Sequence, residues 1–383
     1  MSNAAENTTF IPAWLTPEQI DTVVVAFADG YGRLLGSRMT CRHFIRSVGK
    51  SGTHMCNYLL TVDIEMNPLP GYQLASWEQG YGDFHAVVDP TTLRVVPWQP
   101  RTAIVLCDLH HEDHTPVAPA PRQVLRRQLA RLKKLGLGAE MGSELEFYVF
   151  ENTYREAHDA NYHELRPTSD YLIDYHVTQP TRDEHLMARL RNEMDEAGIT
   201  VEGSKGEWGR GQQELNLLHA DALEMADRHL LFKNGAKEIA AQEERSISFM
   251  AKLDENQAGN SFHLHTSLWD RAAEQNRFAD AKSGEPTELF RHFLGGLQTY
   301  ARELCYFFAP TVNSYKRYQA ASWAPTSLVW AHDNRTTGFR VVGHGASLRI
   351  ENRTPGRGRE SVSCLCRHDC GRPEGHRGKA RLR

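Results

Sequence analysis

The sequence predicts an α+β fold, in which strand patterns and helix patterns both occur. The stretch TVVVAFADGYGRLLGSRMT (residues 22–40) has an apolar run, a glycine-rich turn and a second short run, which indicates a β-hairpin. The stretch RQVLRRQLARLKKLG (122–136) places four apolar residues at helical spacing and ends on a glycine, a common helix terminator. Strands are indicated by SELEFYVF (143–150) and SFHLHTSL (261–268).

The chain is expected to divide into two domains and a tail. Short strand patterns continue to about residue 98, and the stretch HEDHTPVAPAP that follows at 111–121 reads as a linker because its prolines interrupt any periodicity. We therefore expect an N-terminal domain at 17–112, a larger domain at 113–356 and a separate tail at 357–383. The larger domain is expected to contain a long helix at about 220–244, strands at 246–253 and 261–268, and an amphipathic helix at 286–308.

Composition excludes several classes of protein. The chain has 383 residues, of which 40% are hydrophobic and 24% charged, as in soluble globular proteins. Residues 357–383 carry eight Lys/Arg against three Asp/Glu, so the rest of the chain sums to −9, which argues against a nucleic-acid partner. No signal-peptide pattern or membrane-spanning apolar run is present, so no membrane partner is expected. Four cysteines scattered before the tail suit a reducing compartment, and we expect a cytoplasmic protein.

Acidic and imidazole side chains recur in pairs on the predicted strands. Glu144 and Glu146 lie two residues apart and so leave the same face of one strand, and His263 and His265 do the same on another. Any one such pair is typical of the solvent face of a strand. Further candidates lie in EWGRGQQELN and SLRIENR, namely Glu207, Glu214 and Glu351.

Taken together, these strands predict a site for hard divalent cations. Five glutamates and one histidine, without cysteine, suit Mg²⁺ or Mn²⁺ better than Zn²⁺. Two such ions with several arginines are typical of phosphoryl-transfer sites. The chain has no G-x-x-x-x-G-K-[ST] phosphate loop, so ATP would have to bind by another route. The available arginines are Arg317, Arg335, Arg340, Arg349 and Arg353.

From about residue 20 to Gly356 the chain resembles the glutamine synthetase family. The matching stretches are GSELEFYVF, GQQELN, FMAKL, GNSFHLHTSL, APTVNSYKRY, DNRTTGFR and RIENRTPG, in this order. The resemblance implies a small β-grasp N-terminal domain and a catalytic domain whose curved antiparallel sheet forms the active-site funnel. It also implies a homo-oligomer with active sites between subunits, and a ligase that uses ATP, glutamate and an amine.

The resemblance assigns roles to individual positions. Two divalent ions per site, Mg²⁺ or Mn²⁺, are implied, one held by Glu146, Glu207 and Glu214 and the other by Glu144, His263 and Glu351. ATP contacts are implied for His265, Ser267, Arg335, Arg340 and Arg349. Glutamate contacts are implied for Gly259, Arg317 and Arg353. Direct catalytic roles fall to Arg335, Glu351 and Arg353. The implied reaction makes γ-glutamyl phosphate from glutamate and ATP, and an amine then captures it.

The amine is expected to be larger than ammonia. Family members that use ammonium carry an Asp in an N-terminal loop and a flap Glu before an Ala-Pro pair, whereas this chain has SGTHMCNYLL without Asp and places Trp323 at the flap position. An aromatic ring offers an apolar or cation-π surface to a larger amine. We therefore predict a γ-glutamylpolyamine or γ-glutamylethanolamide ligase. Glutamine synthesis with ammonium, a non-catalytic family member and an inactive truncated product are the alternatives.

The tail departs from the family pattern after Gly356. Its cysteines and His368 resemble a zinc knuckle. However, codons for these residues, read one nucleotide over, permit A-D-A-N-P-Y-L-A-Y-A-A-T-I-A and then A-G-L-K-G-I-E, which is the pattern that follows in the family. We therefore predict that residues 357–383 are translated out of frame and are unstructured. Their cysteines are then expected to have no function.

Overall fold

A computed structural model describes residues 11–178 and 180–356. The expectation for residues 357–383 lies outside this part of the chain. Among the described residues, one compact unit extends up to Val124 and includes Glu196–Gly198, and a second comprises the remainder from Leu125 onward. No helix in the described part is long and apolar enough to cross a membrane.

The first unit is built on a mixed sheet. Its strands pair in the order β2-β1-β6-β4-β3, with β5 at the side of β6, and the β1–β6 pair is parallel while the others are antiparallel. The predicted hairpin is confirmed, since β1 and β2 pair from Thr22↔Thr40 to Ala28↔Leu34. The strands are β1 (Thr22–Ala28), β2 (Leu34–Thr40), β3 (Thr53–Cys56), β4 (Asp83–Val88), β5 (Arg94–Val95) and β6 (Thr102–His110).

One face of this sheet is buried against short helical turns. Val23, Val25 and Phe27 alternate along β1 and are at most 1% exposed, so this face of the strand is buried along its length, and Ala26 and Ala28 on the other face are buried as well. Phe44 belongs to the same apolar cluster. The α-helices of this part are α1 (Cys41–His43) and α2 (Gly49–Ser51), and Phe44–Val48 forms a π-helical segment between them.

The second unit is built on a large and mostly antiparallel sheet. The strand order is β14-β15-β16-β12-β7-β9-β8, and only β14–β15 is parallel. Short strands β10 and β11 pair with β7, and β13 pairs with β12. The strands are β7 (Leu137–Phe150), β8 (Val201–Gly206), β9 (Gln212–Leu217), β10 (Ala220–Asp221), β11 (Ser246–Ser248), β12 (Phe262–Asp270), β13 (Gln275–Asn276), β14 (Trp330–His332), β15 (Phe339–Val342) and β16 (Arg349–Asn352).

Helices complete this part of the chain. The helix predicted at 122–136 is confirmed, and its terminal Gly136 has a φ of +72°, which a glycine adopts without strain. The long helices predicted at about 220–244 and at 286–308 are also confirmed. The helices are α3 (Pro121–Lys134), α4 (Tyr154–Asp159), α5 (Glu184–Glu196), α6 (Ala222–Gln242), α7 (Glu288–Phe308) and α8 (Val312–Tyr315).

The strand predicted at 246–253 is shorter in the structure, because side chains of the following loop and of a distant segment bind its backbone groups. Only β11 is a strand. Asn260 donates to the Met250 carbonyl oxygen over 2.8 Å, and the Lys252 amide donates to the side-chain oxygen of Asn313 over 2.9 Å. These bonds replace the strand-to-strand ladder that periodicity alone predicts.

Candidate active site

The register of the large sheet places the paired acidic and imidazole residues in adjacent rows. Glu144 on β7 lies opposite His263 on β12, and Glu146 lies opposite Glu214 on β9. His265 lies opposite Glu351 on β16. Side chains two residues apart on one strand share a face, so these rows form one continuous polar surface across four strands.

Glu144 joins the two imidazoles. Its Oε2 lies 3.0 Å from Nδ1 of His263 and its Oε1 lies 2.8 Å from Nε2 of His265. Burial opposes ionisation of this carboxyl, but the charges and hydrogen bonds of His265 and His263 outweigh burial and hold the pKa of Glu144 well below its usual range. Glu144 is therefore a carboxylate at neutral pH.

Glu146 and Glu214 are carboxyls whose surroundings favour the neutral form, unlike those of Glu144. Ser261 binds Glu146 through both its amide, over 2.7 Å, and its hydroxyl. Burial and the charge of Glu207 raise the pKa of Glu146, and burial with the charges of Glu144 and Glu207 raises the pKa of Glu214 well above its ordinary value. Converging like charges of this kind favour a bound cation, because the nearby Lys205 ammonium compensates them only in part.

Glu351 is held by two arginines. It is 1% exposed, accepts from Nη1 of Arg340 over 2.9 Å, and also accepts from Arg353. Burial favours its neutral form, but the charges of His263, His265 and Arg353 prevail and lower its pKa. This carboxylate therefore connects Arg340 on β15 and Arg353, just after β16, to the histidines of β12.

The donor set fits divalent cations. Within residues 11–178 and 180–356, three groups of side chains bring possible ligand atoms within 4.8 Å of one another. One is Glu146, Glu207 and Glu214, the combination implied by the resemblance. The second implied combination is distributed over the other two groups, which share Glu144: one adds His265 and Glu351, and the other adds Glu214 and His263. Carboxylates dominate all three groups, as hard cations prefer.

A cavity of about 550 Å³ opens over this polar surface. It is large enough for small polar substrates. Four of the predicted arginines line it, together with the predicted Gly259, whereas His265, Ser267 and Arg349 are not among its lining residues. The lining arginines are Arg317, Arg335, Arg340 and Arg353. Ser267 instead accepts from the Trp269 indole over 2.8 Å, and Arg349 donates to Nδ1 of His265 over 3.2 Å.

Gly259 and Arg317 form a close-packed pair at the cavity wall. A Cβ added to Gly259 would lie 2.4 Å from Cγ of Arg317 and 2.7 Å from the Ala251 carbonyl oxygen, so no side chain fits there. Arg317 is 3% exposed, and burial lowers its pKa. Its guanidinium donates to the carbonyl oxygens of Thr354 and Arg353, both at 3.4 Å, and lies over the Tyr318 ring, and no carboxylate forms an ion pair with it among the described residues. Its charge is therefore available to a substrate carboxylate.

The sequence did not single out several residues of this cavity. Lys205 lies opposite Glu214 in the sheet, contacts Glu207 and approaches Glu214 to 3.4 Å. Trp208 stands edge to face with Trp323, with ring centroids 6.1 Å apart. Asp174 and Tyr175 also line the cavity. The available signal for Lys205 was its position two residues before Glu207, which places both side chains on one side of an extended chain.

This arrangement is that of an enzyme acting on anionic substrates with divalent cations. Carboxylates and imidazoles surround the cation groups, and arginines suited to phosphate and carboxylate lie beside them in one cavity. Residues 118–358 match the model of the glutamine synthetase catalytic domain.

Similar proteins agree with that match. The chain is 52% identical over 337 residues to a γ-glutamylethanolamide synthetase, GlnA4, of Streptomyces coelicolor, covering 88% of this chain and 72% of that protein. It is 33% identical over 344 residues to a glutamate–isopropylamine ligase of a Pseudomonas species, covering 90% of this chain and 75% of that protein. A solved GmaS/ADP complex is 26% identical and superposes with a TM-score of 0.79, covering 92% of this chain and 78% of that one.

The chain therefore belongs to the glutamine synthetase family, whose ligases form carbon–nitrogen bonds. The predicted family and the predicted α+β class are both confirmed. The roles assigned to individual residues stay predictions.

Proposed function

We propose that this protein joins the γ-carboxylate of glutamate to a primary amine larger than ammonia at the expense of ATP, and that the amine is of the ethanolamine kind. One observation carries the choice of amine: Trp323, at the position of the family's flap glutamate, lines the cavity and packs against a second indole, Trp208. The Streptomyces relative, named for a γ-glutamylethanolamide product, and the Pseudomonas relative, named for isopropylamine as the amine that it joins to glutamate, support the same choice.

Glutamate is proposed to bind at the buried end of the cavity. Arg317 lines the cavity there and has no carboxylate partner among the described residues, and Gly259 leaves room for the Cγ and Cδ atoms of its side chain. Arg353, held by Glu351 and by the Arg335 carbonyl oxygen over 3.0 Å, presents a second cation. Guanidinium forks match carboxylates in two-point contacts, so this wall would orient the glutamate.

ATP is proposed to bind over the strands that carry the remaining arginines. Arg335 and Arg340 line the cavity and would stabilise the charge that develops on the transferred phosphoryl group. His265, Ser267 and Arg349 are proposed, from the resemblance, to hold other parts of the nucleotide. The glutamate γ-carboxylate oxygen bonds to the γ-phosphorus, and the bond from that phosphorus to the leaving oxygen of ADP breaks.

The acidic groups are proposed to bind two Mg²⁺ or Mn²⁺ ions. Glu146, Glu207 and Glu214 would hold one, and Glu144, His263 and Glu351 the other, with His265 beside the second group. Bound ions would neutralise phosphate charge and align the reacting oxygens. Ser261 and Gln212 fix the first group from behind, since they donate to Glu146 over 2.7 Å and 3.3 Å.

The amine then replaces phosphate. Its nitrogen attacks the carbonyl carbon of γ-glutamyl phosphate, the new carbon–nitrogen bond forms, inorganic phosphate leaves, and the nitrogen loses a proton. A carboxylate at position 323 would attract ammonium, whereas an indole supplies apolar surface that only a larger amine contacts. Trp323 is 55% exposed and Trp208 is 46% exposed, so both rings can meet a substrate.

The proposal includes the remaining expectations from the sequence. The mixed sheet of the first unit, with its parallel β1–β6 pair, supports a β-grasp N-terminal domain. The domain limits at 112 and 356, a cytoplasmic location and a homo-oligomer with active sites between subunits are kept as proposed.

Phosphate release tests the proposed function directly. Two proteins are assayed with ATP, Mg²⁺ and glutamate: the chain itself, and the product of the same gene read one nucleotide over after Gly356. Ethanolamine is expected to support release, while ammonium at equal concentration supports at most about a tenth of that rate. Release with ammonium alone would contradict the choice of amine, and binding of Mg²⁺-ATP without release with any amine would favour the non-catalytic alternative.

A further inference from the structure

Tyr148 and Gln212 form the row of the large sheet next to its acidic row. They lie directly opposite each other on β7 and β9, two residues along from the Glu146–Glu214 pair, so their side chains share the face of that pair. Both residues are buried, with exposed fractions of 3% and 1%. This row therefore continues the polar surface of the site without adding charge to it.

Both side chains bind the loop that leads into β12. The Tyr148 hydroxyl donates to the Ala258 carbonyl oxygen over 2.7 Å. The Gln212 amide nitrogen donates to the Gly259 carbonyl oxygen over 3.2 Å and to the side-chain oxygen of Asn260 over 2.9 Å. Three hydrogen bonds from one row of the sheet thus hold three consecutive residues of the loop.

The neighbouring groups determine the direction of these bonds. Asn260 donates its side-chain nitrogen to the carbonyl oxygens of Ser248 and Met250, so its side-chain oxygen has to accept. Gln212 accepts the Gly209 amide on its side-chain oxygen over 2.8 Å, so its nitrogen has to face the loop. Each side-chain amide therefore has one orientation that satisfies its partners, and the network holds the loop in one position.

The position of the loop determines the shape of the wall that is proposed to bind glutamate. Gly259 lies so close to Arg317 that an added Cβ would be 2.4 Å from Cγ and 3.1 Å from Cδ of that side chain. The carbonyl oxygens that the Arg317 guanidinium reaches are 3.4 Å away, longer than most hydrogen bonds. Packing against the loop therefore does much to locate Arg317, and a displaced loop would displace its guanidinium.

We propose that Tyr148 and Gln212 are positioning residues for glutamate: they hold the loop 258–261 against Arg317 and thereby determine the affinity of the site for the substrate carboxylate. The inference rests on the proposed function, in which Arg317 and Gly259 bind glutamate. Tyr148 and Gln212 act through Gly259 and do not touch the substrate themselves. The contacts involved join protein atoms only.

Tyr148→Phe tests the inference, because it removes one hydroxyl from the loop and alters no proposed cation ligand. The Kd values for glutamate and for ADP are measured by titration calorimetry in the presence of Mg²⁺. We expect the Kd for glutamate to rise at least about fivefold, because the buried Ala258 carbonyl loses its partner, and the Kd for ADP to change less than about twofold. Tyr154→Phe is the matched control, since its hydroxyl donates to the Ile247 carbonyl oxygen over 3.3 Å and not to the loop, and it should change neither Kd.

Gln212→Met removes the other two bonds to the loop and should raise the Kd for glutamate at least about tenfold. Hydrogen exchange measures the position of the loop directly: the backbone amides of Asn260 and Ser261 should exchange faster in both variants and at the original rate in Tyr154→Phe. Circular dichroism spectra identify a variant that fails to fold. Tyr148→Phe keeps the ring, so it provides the test even where Gln212→Met does not fold.

Three results would overturn the inference: an unchanged Kd for glutamate in a folded Tyr148→Phe protein, a parallel rise of the glutamate and ADP constants, or no glutamate binding by the unaltered chain. Failure of the proposed function is distinguishable from these. The expected Kd pattern without phosphate release with any amine would contradict the reaction and leave the positioning role supported. Phosphate release with ethanolamine and an unchanged Kd for glutamate in Tyr148→Phe would do the reverse.

Discussion

Replacing Glu351 by Gln tests whether the carboxylate that joins two arginines stabilises the second unit. Glu351 is 1% exposed and its partners Arg353 and Arg340 have side chains only 6% and 12% exposed. Removing one partner of such a buried ion pair leaves guanidinium charge uncompensated and costs about 3 kcal/mol, and Gln keeps the shape of the side chain. For a unit of this size, that loss lowers the Tm by about 6–12 °C.

The assay is thermal unfolding followed by circular dichroism in EDTA, so that ion binding does not contribute. Asp333→Asn is the matched control, because Asp333 pairs with the same Arg340 but its side chain is 77% exposed. Solvent screens an exposed pair, and we expect its Tm to change by at most about 1 °C. Equal Tm changes in the two variants would refute the reasoning that burial of the Glu351–arginine ion pairs determines their contribution to stability.

Three further changes test the site, and one tests the tail. Glu214→Gln should raise the Tm in EDTA at pH 7, because a carboxyl whose pKa is raised on folding costs stability at pH values above its ordinary pKa of 4.5. The gain should fade as the pH falls towards 4.5 and be absent below it, and a lower Tm at pH 7 would contradict this. Gly259→Ala should raise the KM for glutamate at least about tenfold by displacing Arg317, with the KM for ATP nearly unchanged, and equal rises in both constants would argue against a glutamate-specific role. Trp323→Glu should increase ammonium-dependent phosphate release relative to ethanolamine-dependent release. An unchanged ratio of the two rates would show that residue 323 does not determine which amine is used. Re-sequencing the DNA around codons 355–358 should reveal a shifted frame, whereas peptides from Arg357 onward together with an intact frame would disprove it.

Local periodicity determined most of the fold elements that were predicted. The hairpin at 22–40, helix α3 and helix α7 form where the sequence places them, because burial of one face imposes a period of 2 on a strand and 3.6 on a helix. The strand expected at 246–253 is only three residues long, since the side chains of Asn260, in the loop that follows, and of Asn313, 61 positions beyond Lys252, bind its backbone groups. No local pattern carries that information.

The sequence by itself determined the family and the chemical kinds of residue at the site. Paired carboxylates and imidazoles on strands, with arginines following, predicted divalent cations and phosphate before any geometry was known. Only the tertiary structure decided how they meet: the antiparallel register sets His263 against Glu144 and His265 against Glu351, and it brings Lys205 beside Glu214. The contact of Trp208 with Trp323 joins residues 115 positions apart in the sequence. Such pairings depend on strand order and on the path of loops, which long-range packing selects and local sequence does not encode.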